Sequence, residues 1–428
     1  MNNFWYYFYN LILVIKFRIA LACLSLFNSK IRTALKERKL LFEELSANIE
    51  NLDKSKKNIW FHSSSVGEFE QAKPIIERLK ESEDYNIIVS FLSPSGFHSA
   101  KRYQFADVIT YLPFDSRKNI ELFLSIVKPI VFIIMRYDFW PNTIWGSHKR
   151  NIPIFLVDAT MKSNSKRKLP LVKKFHDHLF NHFTKILTIS DIDKNRFLKF
   201  GLTDEKVITV GDTRYDRVFS KSQNALTKKI LDDRIIKGKK VLVAGSTWRE
   251  DEEVLFPAIL KLHKHVDNLL TIVVPHEPTI PTIEQIEYEL KDDVSVIRFS
   301  LLNQYTNEQI IIIDSIGILI TLYASADFAF VGGGFKSNIH NVLEPAVYGI
   351  PVIFGPKHSN SQEAESLINV GGGFEVQNKK QLYKLLRKIT LDDNFRIKSG
   401  NAAKNFVQSN IGATEKIFSS LQVYLERE

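Results

Sequence analysis

From Lys57 onward, short β-branched or aromatic runs alternate with stretches whose apolar residues recur every three or four positions. Runs of the first kind suit buried strands, stretches of the second kind suit helices with one apolar face, and their alternation predicts a parallel α/β sheet. Strands are expected at Ile59–His62, Ile87–Phe91, Val108–Tyr111, Ile130–Met135, Ile154–Asp158 and Lys185–Ile189, with helices such as Glu68–Leu79 and Asn119–Val127 between them. This series closes near Val207–Val210, before Gly211-Asp212-Thr213-Arg214-Tyr215-Asp216, and polar Ser220–Lys229 reads as a linker or short helix. A second series opens at Lys240-Val241-Leu242-Val243-Ala244-Gly245 and runs through Leu270–Val274, Val294–Phe299, Ile310–Ile313, Asp327–Val331 and Pro351–Phe354. After about residue 380 the chain reads as helical, with turns at Asp392-Asp393 and near Gly400. The pattern predicts two Rossmann-like α/β domains facing each other across a cleft, with ligands at the carboxyl ends of the strands. Expected boundaries are 1–35 for an amino-terminal segment, 36–218 for the first domain and 219–428 for the second, whose last helices are free to pack back on the first.

The amino terminus departs from this rhythm. Phe4 to Phe27 is strongly apolar and opens Phe4-Trp5-Tyr6-Tyr7-Phe8-Tyr9, but Lys16 and Arg18 cut it into pieces of 12 and 9 residues. Crossing a bilayer takes about 20 apolar residues, and each central cation opposes insertion by several kcal/mol. Aromatic rings followed by cations suit a segment lying in the membrane interface. Basic residues continue at Lys30, Arg32, Lys36, Arg38 and Lys39, where they would attract anionic head groups. A buried helix and a true span are the alternatives; with no charged leader and no small-residue cleavage site, a signal peptide is not expected.

Composition narrows the class. A chain of 428 residues exceeds what one core organises, and 44% hydrophobic with 25% charged residues argues against disorder. The single cysteine, Cys23, allows no intrachain disulfide, which fits a reducing compartment. A net charge of +10 suits a membrane surface, an acidic substrate or nucleic acid. No nucleic-acid-binding motif is present, so nucleic acid is not expected as a partner.

Three strand-to-helix turns could carry chemistry. In Trp60-Phe61-His62-Ser63-Ser64-Ser65-Val66-Gly67-Glu68, backbone N–H groups and a positive helix end face an anion, and Glu68 in the first turn could act as a general base. Simple helix capping by Ser65 is the plainer reading of the local pattern. Ala244-Gly245-Ser246-Thr247-Trp248-Arg249-Glu250 opens the second series in the same way, as a phosphate site or another cap. The richest is Phe330-Val331-Gly332-Gly333-Gly334-Phe335 with Ile339-His340-Asn341-Val342-Leu343-Glu344-Pro345. There glycines let a ligand approach the backbone, and Asn341 and Glu344 fall on one face of a helix if it starts there, where a carboxylate can hold ribose hydroxyls. Lys357, His358 and Asn360 follow on the exit loop of the next strand. Arg136 in Met135-Arg136-Tyr137-Asp138-Phe139-Trp140-Pro141-Asn142 could bind a phosphate, and so could the basic run Lys162–Lys168. Asp191-Ile192-Asp193 spells a metal-binding triplet of some glycosyltransferases, but it opens a helix, where acids are common; no metal is expected there.

Taken together, these pieces resemble the transferases that attach 3-deoxy-manno-octulosonic acid (Kdo) to lipid A, glycosyltransferases of the GT-B architecture. The matching motifs are Ser65-Val66-Gly67-Glu68, Trp140-Pro141-Asn142, Gly211-Asp212 with Asp216, Ala244-Gly245-Ser246-Thr247, and Phe330 to Pro356. Departures mark a divergent branch: Arg136-Tyr137-Asp138-Phe139 stands for Glu-Thr-Glu-Leu, Pro275-His276-Glu277-Pro278 for Pro-Arg-His-Pro, and Asp158-Ala159-Thr160 for Asn-Ala-Arg. The resemblance implies inverting transfer of Kdo from CMP-Kdo to a lipid A precursor (lipid IVA) at the cytosolic face of the bacterial inner membrane, with the chain monotopic through its amino-terminal segment. It implies Glu68 as general base and Ser65, Gly67, Arg136 and Asp138 on the acceptor side. Ser246, Thr247, His276, Gly332, Gly333, Asn341 and Glu344 would bind the CMP donor, with no metal and no cofactor. The rival readings are another GT-B transferase or an epimerase using a UDP-sugar, and a catalytically inactive lipid-binding scaffold.

Overall fold

The structure, a computed structural model, describes residues 3–359 and 361–426, without the side chains of Asn3 and Lys30; Asn360 and the Lys30 side chain, named above, lie outside it. The chain divides into two compact units, Met1–Arg217 with Gly412–Glu428, and Val218–Ile411.

In the first unit the strands are β1 (Lys57–Ser63), β2 (Tyr85–Phe91), β3 (Val108–Tyr111), β4 (Val131–Met135), β5 (Ile154–Ala159), β6 (Lys185–Thr188) and β7 (Val207–Thr209). They form one parallel sheet in the order β3-β2-β1-β4-β5-β6-β7. Alternate residues feed two cores. Trp60, Ile88, Phe132 and Leu156 enter one, while Phe61, Val89, Ile133 and Val157 enter the other. Burial on both faces is why these strands read as unbroken apolar runs. The helix Ala413–Leu425 brings Ile417, Leu421 and Leu425 into the second core beside Ile75, Ile76 and Leu79 of the helix Val66–Lys80.

The second unit repeats the plan with β8 (Lys240–Thr247), β9 (Leu269–Pro275), β10 (Val296–Arg298), β11 (Ile310–Ile312), β12 (Phe328–Val331), β13 (Val352–Phe354) and β14 (Gly373–Glu375). Their order is β10-β11-β9-β8-β12-β13-β14, again parallel. In each sheet the chain moves outward on one side of its first strand, then returns to that strand's other side. The switch points, where such sheets bind ligands, are β1/β4 and β8/β12.

Several expectations need correction. Of the two readings of Ser220–Lys229, the helix holds for most of it, but as the end of a longer helix, Thr213–Leu226, rather than a short one of its own. Gly400 makes no turn but lies inside the helix Asp393–Ser409, where glycine is needed for packing: a Cβ would come 2.1 Å from the Gly349 carbonyl oxygen. The helix after the triple glycine starts at Leu343, so Asn341 precedes it and does not share a face with Glu344.

Lys16 and Arg18 do not interrupt the amino-terminal segment. Phe4–Phe27 is one continuous helical stretch of 24 residues, with a π-helical turn at Tyr9–Leu13, long and apolar enough to cross a membrane. Little of it is buried, but its first turns dock on the first unit. Tyr9 donates to the Asp115 carboxylate at 2.8 Å, and Asn10 exchanges amide hydrogen bonds with Asn142 at 2.9 and 3.0 Å. Trp5 packs edge-on against Phe175, and Tyr6 against Trp145.

Candidate functional site

At the β1/β4 switch point, Ser65 caps the helix Val66–Lys80, its hydroxyl accepting the Glu68 backbone N–H at 3.4 Å. Glu68 itself is buried, and its Oε2 accepts both the backbone N–H (2.6 Å) and the hydroxyl (2.8 Å) of Ser64. The capping reading is therefore correct as far as it goes, but it leaves the carboxylate held in one orientation at the carboxyl end of β1. Gly67 is exposed, and a Cβ there would meet nothing within 4 Å, so the fold itself does not demand glycine.

Asp138 converges on the same place from β4. Its Oδ2 accepts the His62 Nε2–H at 2.8 Å and the Trp140 indole N–H at 3.0 Å. Burial pushes its carboxyl up, but the hydrogen bonds from His62 and Trp140 and the charge of His62 outweigh it and hold the group below the usual carboxylate range. Sequence reasoning did not single out His62, although its place at the end of a buried strand was a signal: its other nitrogen lies 2.9 Å from the Ser90 hydroxyl.

Arg136 takes a left-handed backbone (φ 62°), and its charge favours the ionised forms of Asp158 and Asp212. Its guanidinium bonds the Gln71 side-chain oxygen at 3.3 Å, and its buried Nε has no partner. Nearby Asp158 accepts the Thr213 backbone N–H and hydroxyl. Burial, then repulsion from Asp212, raises the Asp158 carboxyl far above its ordinary value. Burial opposes ionisation of Asp212 as well, but Arg214, chelating it at 2.6 and 2.9 Å, brings it below the ordinary value. Asp191 and Asp193 are occupied at a helix start: Asp191 accepts from Thr209, and Asp193 from Ser190 and the Met161 N–H. Among the described residues no group of three or more His, Cys, Asp or Glu is placed to hold a metal ion. In the basic run, Arg167 covers the Phe139 ring at 5.0 Å and Lys168 bonds the Ser163 carbonyl, so part of that loop packs.

At the β8/β12 switch point the glycines are sterically required. A Cβ on Gly332 would lie 2.2 Å from the Ser246 carbonyl oxygen, and Gly333 has φ 89°. Asp251 fastens the two loops, accepting the N–H groups of Gly333 (2.7 Å), Trp248 (3.0 Å) and Phe335 (3.1 Å). Ser246, with φ 54°, is half-buried, whereas the Thr247 hydroxyl proton is committed to Glu252 at 2.8 Å.

The exposed His276 ring stacks on both Trp248 (4.4 Å) and His340 (4.5 Å). His340 Nε2 accepts the Trp248 indole N–H at 3.0 Å, which puts its own proton on Nδ1. Burial, then the neighbouring His276, lowers the His340 pKa to about 4. Lys336 lies 3.3 Å over the Trp248 ring, a cation beside the glycine turn that sequence reasoning overlooked. Asn341 accepts the Leu343 N–H at 3.1 Å and reaches Glu344 at 3.3 Å. Lys357 braces the Phe335 and Lys336 carbonyls, and His358 pairs with Glu375.

Two parallel seven-stranded units, each with a glycine- or serine-lined turn at its switch point, define an α/β protein of the GT-B architecture. The fold is shared by UDP-GlcNAc 2-epimerase from Neisseria meningitidis, with a TM-score of 0.61 and 15% identity over 85% of this chain and 99% of the epimerase. A family model described as 3-deoxy-D-manno-octulosonic-acid transferase matches residues 34–217. A 3-deoxy-D-manno-octulosonic acid transferase of Chlamydophila psittaci is 31% identical over 323 residues, 73% of each chain. A bifunctional glycosyltransferase/methyltransferase of Fusobacterium nucleatum is 31% identical over 378 residues, 85% of this chain but 57% of that longer protein. The chain belongs to the family of 3-deoxy-D-manno-octulosonic acid transferases.

Proposed function

We propose that the chain transfers Kdo from CMP-Kdo to a lipid A precursor, with inversion at the anomeric carbon and without a metal. Glu68 takes the proton of the acceptor hydroxyl, and that oxygen bonds to the anomeric carbon. The bond from this carbon to the phosphate oxygen breaks, and its electron pair leaves with CMP. An oxocarbenium-like centre needs one carboxylate on the acceptor side and positive potential on the leaving group. The observation that carries this reading is the clamped Glu68 at the switch point of a chain in the Kdo transferase family.

On the acceptor side, Ser65 and Gly67 present the helix start, and Asp138 and Arg136 would meet the acceptor. On the donor side, Gly332, Gly333 and Ser246 bring backbone close to phosphate, with Thr247 behind them, and His276 with Lys336 supplies the cations. Glu344, with Asn341, would take the ribose. The protein works at the cytosolic face of the inner membrane, its amino-terminal helix docked on the first unit through Tyr9 and Asn10 and lying in the interface with exposed Leu11, Ile12 and Ile15 toward lipid.

The test is incubation with CMP-Kdo and a tetraacyl disaccharide bisphosphate. The expected product is heavier by one or more Kdo residues and has inverted configuration. Binding of UDP in place of CMP would favour the UDP-sugar reading, and lipid binding without turnover would favour the inactive scaffold.

A further inference from the structure

A partly open cavity of about 240 Å³ lies between the amino-terminal helices and the carboxyl ends of β2 and β3. Phe17 and Leu21 form one wall, Ile31, Ala34 and Leu35 a second, and Leu92, Leu112, Phe114 and Trp140 the floor. Its polar neighbours are already satisfied. Arg38 gives its donors to the Ala34, Leu92 and Leu112 carbonyls, and Asp115 is held by Tyr9, Thr143 and the Asn142 N–H. A cavity that offers a ligand carbon and no unpaired polar group stays dry and takes hydrocarbon.

Two features identify whose hydrocarbon. The cavity is walled by the one stretch of the described chain long and apolar enough to cross a membrane. It also shares parts with the acceptor side. The Trp140 ring lines it while the indole N–H bonds Asp138, and Ser93, next to Leu92, donates to the Ser64 carbonyl at 3.2 Å in the loop that clamps Glu68. We propose that this cavity binds one fatty acyl chain of the lipid acceptor, so that a chain drawn out of the bilayer sets the position of the sugar hydroxyl before Glu68. The proposal rests on the reading of the acceptor as an acylated disaccharide.

The test uses the full chain in vesicles of phosphatidylethanolamine and phosphatidylglycerol, with the tetraacyl disaccharide bisphosphate and its fully deacylated glycan as acceptors. Ala34→Trp puts an indole into the cavity from a position outside the transfer machinery. Displacing two buried methylenes of the acyl chain should lower kcat/KM for the acylated acceptor about tenfold, with the deacylated glycan used as by wild type. Unchanged use of the acylated acceptor overturns the proposal. Equal loss on both acceptors would mean a folding defect. The decision then passes to wild-type protein and an acceptor carrying a diazirine at one acyl terminus. Labelling of Ser29–Glu37 or Leu112–Phe114 supports the proposal. Equal labelling by a diazirine-bearing phosphatidylethanolamine overturns it in favour of a bulk-lipid site. If wild type glycosylates neither acceptor, it is the functional reading that fails, and the label map still reports on the cavity.

Discussion

Glu68→Gln separates charge from shape. In the native protein Oε2 takes both Ser64 donors, and Oε1 carries no hydrogen bond among the described residues. A glutamine can give its amide oxygen to the same two donors and place its nitrogen where Oε1 was, so the side chain should keep its orientation. Two charge-assisted bonds become neutral ones, which costs about 1–2 kcal/mol of stability. The variant cannot accept the acceptor's proton, and loss of a general base lowers turnover by about two to four orders of magnitude. Single-turnover transfer at saturating CMP-Kdo measures the chemical step, while calorimetric titration with CMP measures the donor side, which the substitution should leave alone. Near-normal turnover would refute the assignment. A parallel fall in CMP affinity would show that Glu68 acts on the donor.

Four further outcomes follow from the geometry. EDTA should leave turnover unchanged, and Asp191→Asn and Asp193→Asn should be mild for turnover, since asparagine still accepts a hydrogen bond at the helix start; loss of transfer restored by Mg²⁺ would show a metal site there. Tyr9→Phe leaves buried Asp115 short of one donor and should lower stability by about 1–3 kcal/mol in a denaturant titration, so deleting residues 1–27 should destabilise the fold as well as weaken vesicle binding. Gly332→Ala drives a methyl into the Ser246 carbonyl, and CMP affinity should fall more than the rate at saturating donor. Asp158, raised by burial and Asp212, binds its proton more tightly folded than unfolded, so its contribution is present at acidic pH and lost as pH rises toward neutrality. Asp158→Asn should therefore gain stability relative to wild type as pH is raised from about 4 to 7, opposite to the trend set by a depressed group such as Asp212.

Most strands were legible because parallel strands buried on both faces leave unbroken apolar runs such as Ile87–Phe91. The strand Gly373–Glu375 was not, because three residues at a sheet edge carry too little pattern. The start of the helix Thr213–Leu226 was missed, and its end left open between linker and helix, because its apolar positions, Tyr215, Val218, Phe219 and Ala225, show their period only when counted from Thr213, which the Gly211-Asp212 motif hid. Candidate turns could be read where chemistry and backbone coincide, as at Gly332. The wiring behind them could not: His62 with Asp138, and Asp158 with Arg136 and Asp212, join residues far apart in sequence whose meeting depends on strand order.

The Asp216 carboxylate accepts the N–H groups of Gly412 and Thr414 and the Thr414 hydroxyl, at 2.6–2.7 Å. It therefore staples the point where the chain leaves the first unit to the point where it returns. During synthesis the first unit emerges with its sheet complete but without the helix Ala413–Leu425, and the face around Ile75, Ile76 and Leu79 stays uncovered until the whole second unit has left the ribosome. That order leaves the nascent enzyme with an apolar surface for as long as translation of nearly 200 residues takes, at about 5–20 residues per second. A chaperone-dependent lag, or co-translational capture at the membrane, would be written into the topology rather than into any one residue.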